Sequence, residues 1–135
     1  MIFLDTNTVS YAMRSRGARV EAALLRAHAA GDVCISAVVY SELKFGLAMS
    51  SHPVQHARIA TEISRVMTLL TVIDWDIAAA DALALMRAQL RRSGTVIGPY
   101  DMAIAAHALS RDALLVTNNE REFKRIPGLK IENWT

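Results

Sequence analysis

Apolar and polar positions along this chain fall into short β-like runs and longer helical stretches that take turns almost from end to end. Met1-Ile2-Phe3-Leu4 is an apolar run that stops on Asp5-Thr6-Asn7-Thr8, a carboxylate and three small polar residues, before a short helix from about Val9 to Met13. After the basic loop Arg14 to Arg19, hinged on Gly17, the stretch Val20 to Ala30 carries Val20, Leu24, Leu25 and Ala27 on one helical face. Gly31 stops it. Val33-Cys34-Ile35 predicts a second strand, with Ser36 as cap of a helix from Ala37 to Met49. Pro53 suits the first turn of the next helix, Val54 to Leu70, where Ile59, Ile63, Val66 and Met67 keep helical register, and Gly46 is expected to let the two helices pack closely.

Leu70-Thr71-Val72-Ile73 is the third predicted strand. Asp76 caps a long helix, Ile77 to Arg92, which ends before Gly94. A glycine-bounded loop, Gly94 to Pro99, leads into a helix from Tyr100 to Ser110, and Leu114 to Thr117 is the fourth strand. A short helix with Glu120, Glu122 and Phe123 follows. Ile126-Pro127-Gly128 then turns the chain into a last strand, Leu129-Lys130-Ile131. Strands alternating with helices predict a mostly parallel sheet of about five strands with helices on both faces, a three-layer α/β/α fold over residues 1–135 as one domain.

Composition narrows the function without naming it. An apolar fraction of 53% excludes disorder, and no apolar run approaches the roughly 18 residues of a membrane span. With a strand beginning at once and no basic leader, the chain is read as cytoplasmic. Cys34 is the only cysteine, which excludes a disulfide framework or a thiolate zinc site within one chain. The net charge of +2, with arginines spread along the chain, permits a phosphate-backbone partner without demanding one.

The chemistry lies in carboxylates. Asp5, Glu42, Asp101 and the group Asn118, Asn119 and Glu122 all stand where a strand has just ended or a helix just begun, and in a parallel α/β sheet those points share one edge. Alone, Asp5 reads equally as a helix cap, Asp101 as a first-turn residue complementing the helix dipole, and Glu42 as a solvated glutamate. Together they form a cluster of like charges that cannot all ionise side by side at neutral pH. A hard divalent cation resolves the conflict, and an all-oxygen set points to Mg²⁺ or Mn²⁺. Such an ion is suited to phosphodiester hydrolysis. The four histidines, His28, His52, His56 and His107, fall outside this pattern and read as surface or packing residues.

Leu4-Asp5-Thr6-Asn7, Ser36 through Glu42 with Gly46, Gly98-Pro99-Tyr100-Asp101 through Ala108, Val116-Thr117-Asn118-Asn119 with Glu122-Phe123, and the closing Ile126-Pro127-Gly128 and Ile131 to Trp134 together resemble the PIN-domain ribonucleases. More narrowly they resemble the VapC-type toxins of bacterial toxin–antitoxin pairs. The resemblance implies a PIN-like fold and a Mg²⁺- or Mn²⁺-dependent endoribonuclease, dimeric and held silent by a cognate VapB-type antitoxin. Its substrate would be structured RNA, with tRNA cut in the anticodon stem-loop as the expected case. Asp5, Glu42 and Asp101 would hold metal, with Thr6 orienting Asp5 and with Thr117 and Asn118 in support. Many PIN domains carry Asp where this chain has Asn119, so Asn119 is expected as ligand or water-positioner and Glu122 as the acidic partner. Arg14, Arg16, Arg91 and Arg92 are candidate phosphate contacts and Tyr100 a base-stacking platform, each set against an ordinary exposed role.

Two other readings compete. Asp5-Thr6-Asn7-Thr8 resembles the nucleophile motif of haloacid-dehalogenase phosphatases, although Asn7 stands where that motif has its second carboxylate. A catalytically silent α/β module binding RNA or a partner is the other. For a toxin, the acidic crevice suggests an antitoxin that inserts Arg or Lys among the carboxylates while its apolar helix lies on the helix pair around Tyr40 to Ile63.

Overall fold

A computed structural model describes residues 1–14 and 17–135. Its first strand, β1 (Ile2–Leu4), has Phe3 and Leu4 fully buried, and α1 (Thr6–Ala12) starts at once after it. That is earlier than the hydrophobic pattern suggested. Asp5 itself caps the helix by accepting the Thr8 backbone N–H at 2.8 Å, so no linker is needed between strand and helix. Then come α2 (Ala18–Ala30), β2 (Val33–Ser36), α3 (Ala37–Met49), α4 (Pro53–Met67), β3 (Thr71–Ile73), α5 (Ile77–Arg92), α6 (Pro99–Ser110), β4 (Leu114–Val116), α7 (Glu120–Phe123) and β5 (Lys130–Glu132). Ser36 and Asp76 cap α3 and α5 as their side chains allow, and His52 does the same for α4. The last strand sits one residue later than its apolar run, its register set by Leu115 opposite Ile131.

All strand pairs are parallel, in the order β3-β2-β1-β4-β5. The chain builds outward from β1 to β3, then crosses back to place β4 on the other side of β1. With right-handed crossovers, that reversal puts the helices of the two halves on opposite faces. Phe3, Leu4, Ile35, Leu115 and Val116 of the central strands are buried without remainder, and Val9, Leu24, Val39, Val66 and Ile104 close over them from the helices. No helix among the described residues is long and apolar enough to cross a membrane.

Two glycines behave differently from one another. A Cβ on Gly17 would stand 1.6 Å from the Tyr11 carbonyl oxygen, so only glycine lets the loop return against α1 before α2 begins. Gly46 was expected to allow close helix packing, but a Cβ there meets nothing within 4 Å. It lies exposed inside α3, where glycine costs conformational entropy and gains no contact. Thermal unfolding of two variants should therefore diverge: Gly17→Ala is expected to lose about 1–3 kcal/mol of stability, and Gly46→Ala to gain about 0.5–1 kcal/mol.

Candidate active site

β1 and β4 lie side by side where the strand order reverses, the position at which α/β sheets open a crevice beyond their carboxyl ends. Asp5 leaves β1 there with 3% of its surface exposed. One carboxylate oxygen caps α1, and the other accepts the Thr117 hydroxyl at 2.5 Å. Because Thr117 directly follows β4, this bond crosses the switch point and fixes the carboxylate from both strands. The cap reading and the site reading of Asp5 use different oxygens of one side chain.

Glu42 is half-buried on α3 and accepts a hydrogen bond from the Thr6 hydroxyl. The family resemblance implied that Thr6 orients Asp5. The structure gives it to Glu42 instead, because α1 begins at Thr6 and faces α3, while Thr8 and Thr117 already occupy Asp5.

Asp101 stands in the first turn of α6, half-buried. Burial first, then the charges of Glu122, Asp5 and Glu42 and a hydrogen bond with Glu122, push its carboxyl up to about 6. Four carboxylates from four parts of the chain therefore share one poorly hydrated field. Glu122 comes from α7, and its two oxygens accept the Gly98 backbone N–H at 3.0 Å and the Asn119 side-chain amide at 2.7 Å. It thereby ties the start of α6 to α7. Asn119 also donates its backbone N–H to Thr117 at 2.9 Å, whereas Asn118 takes no part in side-chain hydrogen bonding among the described residues.

The donor set is all oxygen and carries more negative charge than it can hold ionised, which fits a hard divalent cation. Asp5, Glu42 and Glu122 are met by protein donors, and no three acidic, histidine or cysteine groups converge as a ready cage among the described residues. Asp101 and Glu122 share a hydrogen bond in its place.

Beside Glu42 a groove of about 950 Å³ opens along α1, α3 and α4, lined among others by Thr6, Arg14, Gln55, Arg58 and Ile59. Arg65, also in its lining, is engaged by Glu21 at 2.7 Å, Glu62 at 2.9 Å and the Ala12 carbonyl at 3.2 Å. Arg58 forms no ion pair among the described residues. Arg14 is exposed at the groove with its guanidinium 5.4 Å from the Tyr11 ring centroid. Sequence reasoning passed over Gln55 and Arg58, although their spacing with Ile59 and Glu62 marks one helical stripe. Of the other proposed RNA contacts, Arg91 and Arg92 are exposed at the end of α5, and Tyr100, next to Asp101, is 60% exposed. Arg16 lies outside the described residues.

Comparison with known proteins gives the family and the fold. The PIN domain model matches residues 2–129. The tRNA(fMet)-specific endonuclease VapC of Salmonella typhimurium is 39% identical over 132 residues, 97% of this chain and 96% of that protein. Its counterpart of the same name from Shigella flexneri is 37% identical over 98% of this chain and 96% of its own length. Among solved structures, VapBC2 from Rickettsia felis bound to a promoter DNA fragment superposes with a TM-score of 0.91 at 33% identity, covering 100% of both chains. DNA-bound VapBC from Salmonella typhimurium gives 0.90 at 37% identity, covering 99% of this chain and 98% of that one.

The folded protein holds the Asp101 proton more tightly than the unfolded chain, so this group adds stability as pH falls through about 6 and opposes folding above it. Asp101→Asn is expected to stabilise the metal-free protein at pH 7.5 by about 1–2 kcal/mol, allowing for solvent screening at a half-buried site. The gap between variant and parent should narrow as pH falls below about 6 and close only as pH nears the ordinary carboxyl value of 3.8. Denaturant melts across that range measure it; an unchanged gap would contradict the assignment.

Proposed function

The chain belongs to the PIN-domain family, and on that premise we propose that it is a metal-dependent endoribonuclease toxin that hydrolyses phosphodiester bonds in structured RNA. The substrate is tRNA, cut in the anticodon stem-loop, and a VapB-type antitoxin silences the toxin. The observation that carries this reading is Asp101, whose proton affinity is raised by burial and by three further carboxylates brought to the same edge of the sheet. A structural module has no use for such repulsion; a cation-dependent hydrolase needs it. Similarity to named endonucleases along nearly the whole chain supports the same reading over the phosphatase and the silent module.

In this proposal Asp5, Glu42 and Asp101 hold Mg²⁺ or Mn²⁺, with Glu122 as the fourth charge and Asn119 placing it. When bound, the ion neutralises charge on the scissile phosphate and lowers the pKa of a coordinated water. The chain's own part is orientation. Thr8 and Thr117 hold Asp5, Thr6 holds Glu42, and Gly98 and Asn119 hold Glu122, so the carboxylates cannot swing apart to relieve their repulsion. Asp101, with its raised proton affinity, would hold the ion in its ionised form. Arg14, Arg91 and Arg92 supply cationic surface for the RNA backbone, and exposed Tyr100 offers a ring for base stacking beside Asp101.

The VapBC assemblies among the structural relatives support a VapB-type partner. The groove beside Glu42 suits a segment of that partner, with a basic side chain set among the carboxylates. A homodimeric toxin working in the cytoplasm completes the reading.

Purified chain freed of partner and incubated with total cellular RNA and Mg²⁺ or Mn²⁺ should yield discrete new 5′ ends in tRNA. Asp5→Asn and Asp101→Asn are expected to slow cleavage by about a hundredfold or more. Folded wild type that binds metal and leaves RNA intact would refute the nuclease assignment. Because protons compete for Asp101, apparent metal affinity should weaken as pH falls below about 6.

A further inference from the structure

His107 sits six residues beyond Asp101 on α6, with 0% of its surface exposed. Its Nδ1 lies 2.8 Å from the hydroxyl oxygen of Ser36, a residue equally buried. That same oxygen accepts the Val38 backbone N–H at 3.1 Å and so caps α3, the helix that carries Glu42. The imidazole ring also packs against Phe3 of β1, with centroids 4.9 Å apart and planes tilted by 51°. Two residues after Phe3 comes Asp5. From α6, which carries Asp101, one side chain thus reaches the N-cap of α3, the helix of Glu42, and β1, the strand that ends at Asp5.

Its chemistry is unusual for a packing residue. Nε2 is buried and finds no hydrogen-bond partner, a cost that an apolar side chain of similar size would avoid. Burial lowers the pKa of the ring, so it stays neutral, and the Ser36 hydroxyl is free to donate to Nδ1 while its oxygen accepts from Val38. Donation in one direction strengthens acceptance in the other. Such a two-way bond is directional in a way that van der Waals packing is not. It links α6 to the first turn of α3.

We propose that His107 is a positioning residue for the metal site: with Ser36 it pins α6 to the start of α3 and to β1, and so sets the spacing of Asp101, Glu42 and Asp5. This rests on the metal-dependent reading above and adds to it a residue outside the acidic cluster. The corresponding cost of losing such support for metal ligands is about 10–100-fold in metal affinity.

The test is Mn²⁺ binding to the purified chain by calorimetry, alongside thermal melts, for wild type, His107→Leu, Ser36→Ala, the double variant and His107→Asn. His107→Leu is expected to remain folded and to bind Mn²⁺ about tenfold more weakly. Ser36→Ala should weaken binding comparably, the double variant should be no worse than the weaker single one, and His107→Asn, which keeps a polar atom near the Nδ1 position, should recover part of the loss. Should the leucine variant fail to fold, Ser36→Ala carries the same comparison. Folded variants that bind Mn²⁺ as wild type does would overturn the pin and leave the metal site standing. Absence of Mn²⁺ binding by folded wild type would overturn the metal site and the pin with it.

Discussion

Like charges forced together at the dry edge of an apolar sheet are the constraint around which the remaining polar chemistry of this protein is arranged. Burial first, and then the charges of Glu122, Asp5 and Glu42, push the Asp101 carboxyl up to about 6. Carboxylates left free would rotate towards water, and Asp5, Glu42 and Glu122 are each instead met by a donor from another element. Thr117 reaches Asp5 from beyond β4, Thr6 reaches Glu42 from α1, and the Gly98 N–H reaches Glu122 from the loop before α6. The order of the strands makes this possible, because β1 and β4 become neighbours only through the reversal of the sheet.

The remainder of the fold carries the stability that this arrangement costs. The central strands are apolar and fully buried, and the helices over them present Val, Leu and Ala. Arg65 bridges Glu21, Glu62 and the end of α1 in the lining of the groove that Glu42 also lines. Charge repulsion at the site and surplus burial elsewhere are two parts of one balance, as expected where function demands an unfavourable cluster.

Much of this was legible in the residues. Asp5 at the end of Ile2-Phe3-Leu4, Ser36 before α3, Asp76 before α5 and Pro99 at the start of α6 are local signals, and each lies where the pattern put it. Periodicity placed the helices because the spacing of apolar residues is itself the cause of their burial. The misplacements share a physical origin. α1 starts at Thr6 because Asp5 caps it directly, Thr6 bonds Glu42 because α1 faces α3, and Gly46 packs against nothing. Each of these depends on what lies across space from the residue.

By itself the sequence determined the alternation of strands and helices, the all-oxygen character of the acidic set and the family to which the chain belongs, since these follow from residue type and spacing. Only the tertiary structure decided which hydroxyl holds which carboxylate, that Glu122 binds the backbone of Gly98, and that His107 meets Ser36 and Phe3 in the core. Hydrogen bonds act over about 3 Å between residues separated by up to 112 positions in the chain, and one-dimensional spacing carries no record of them.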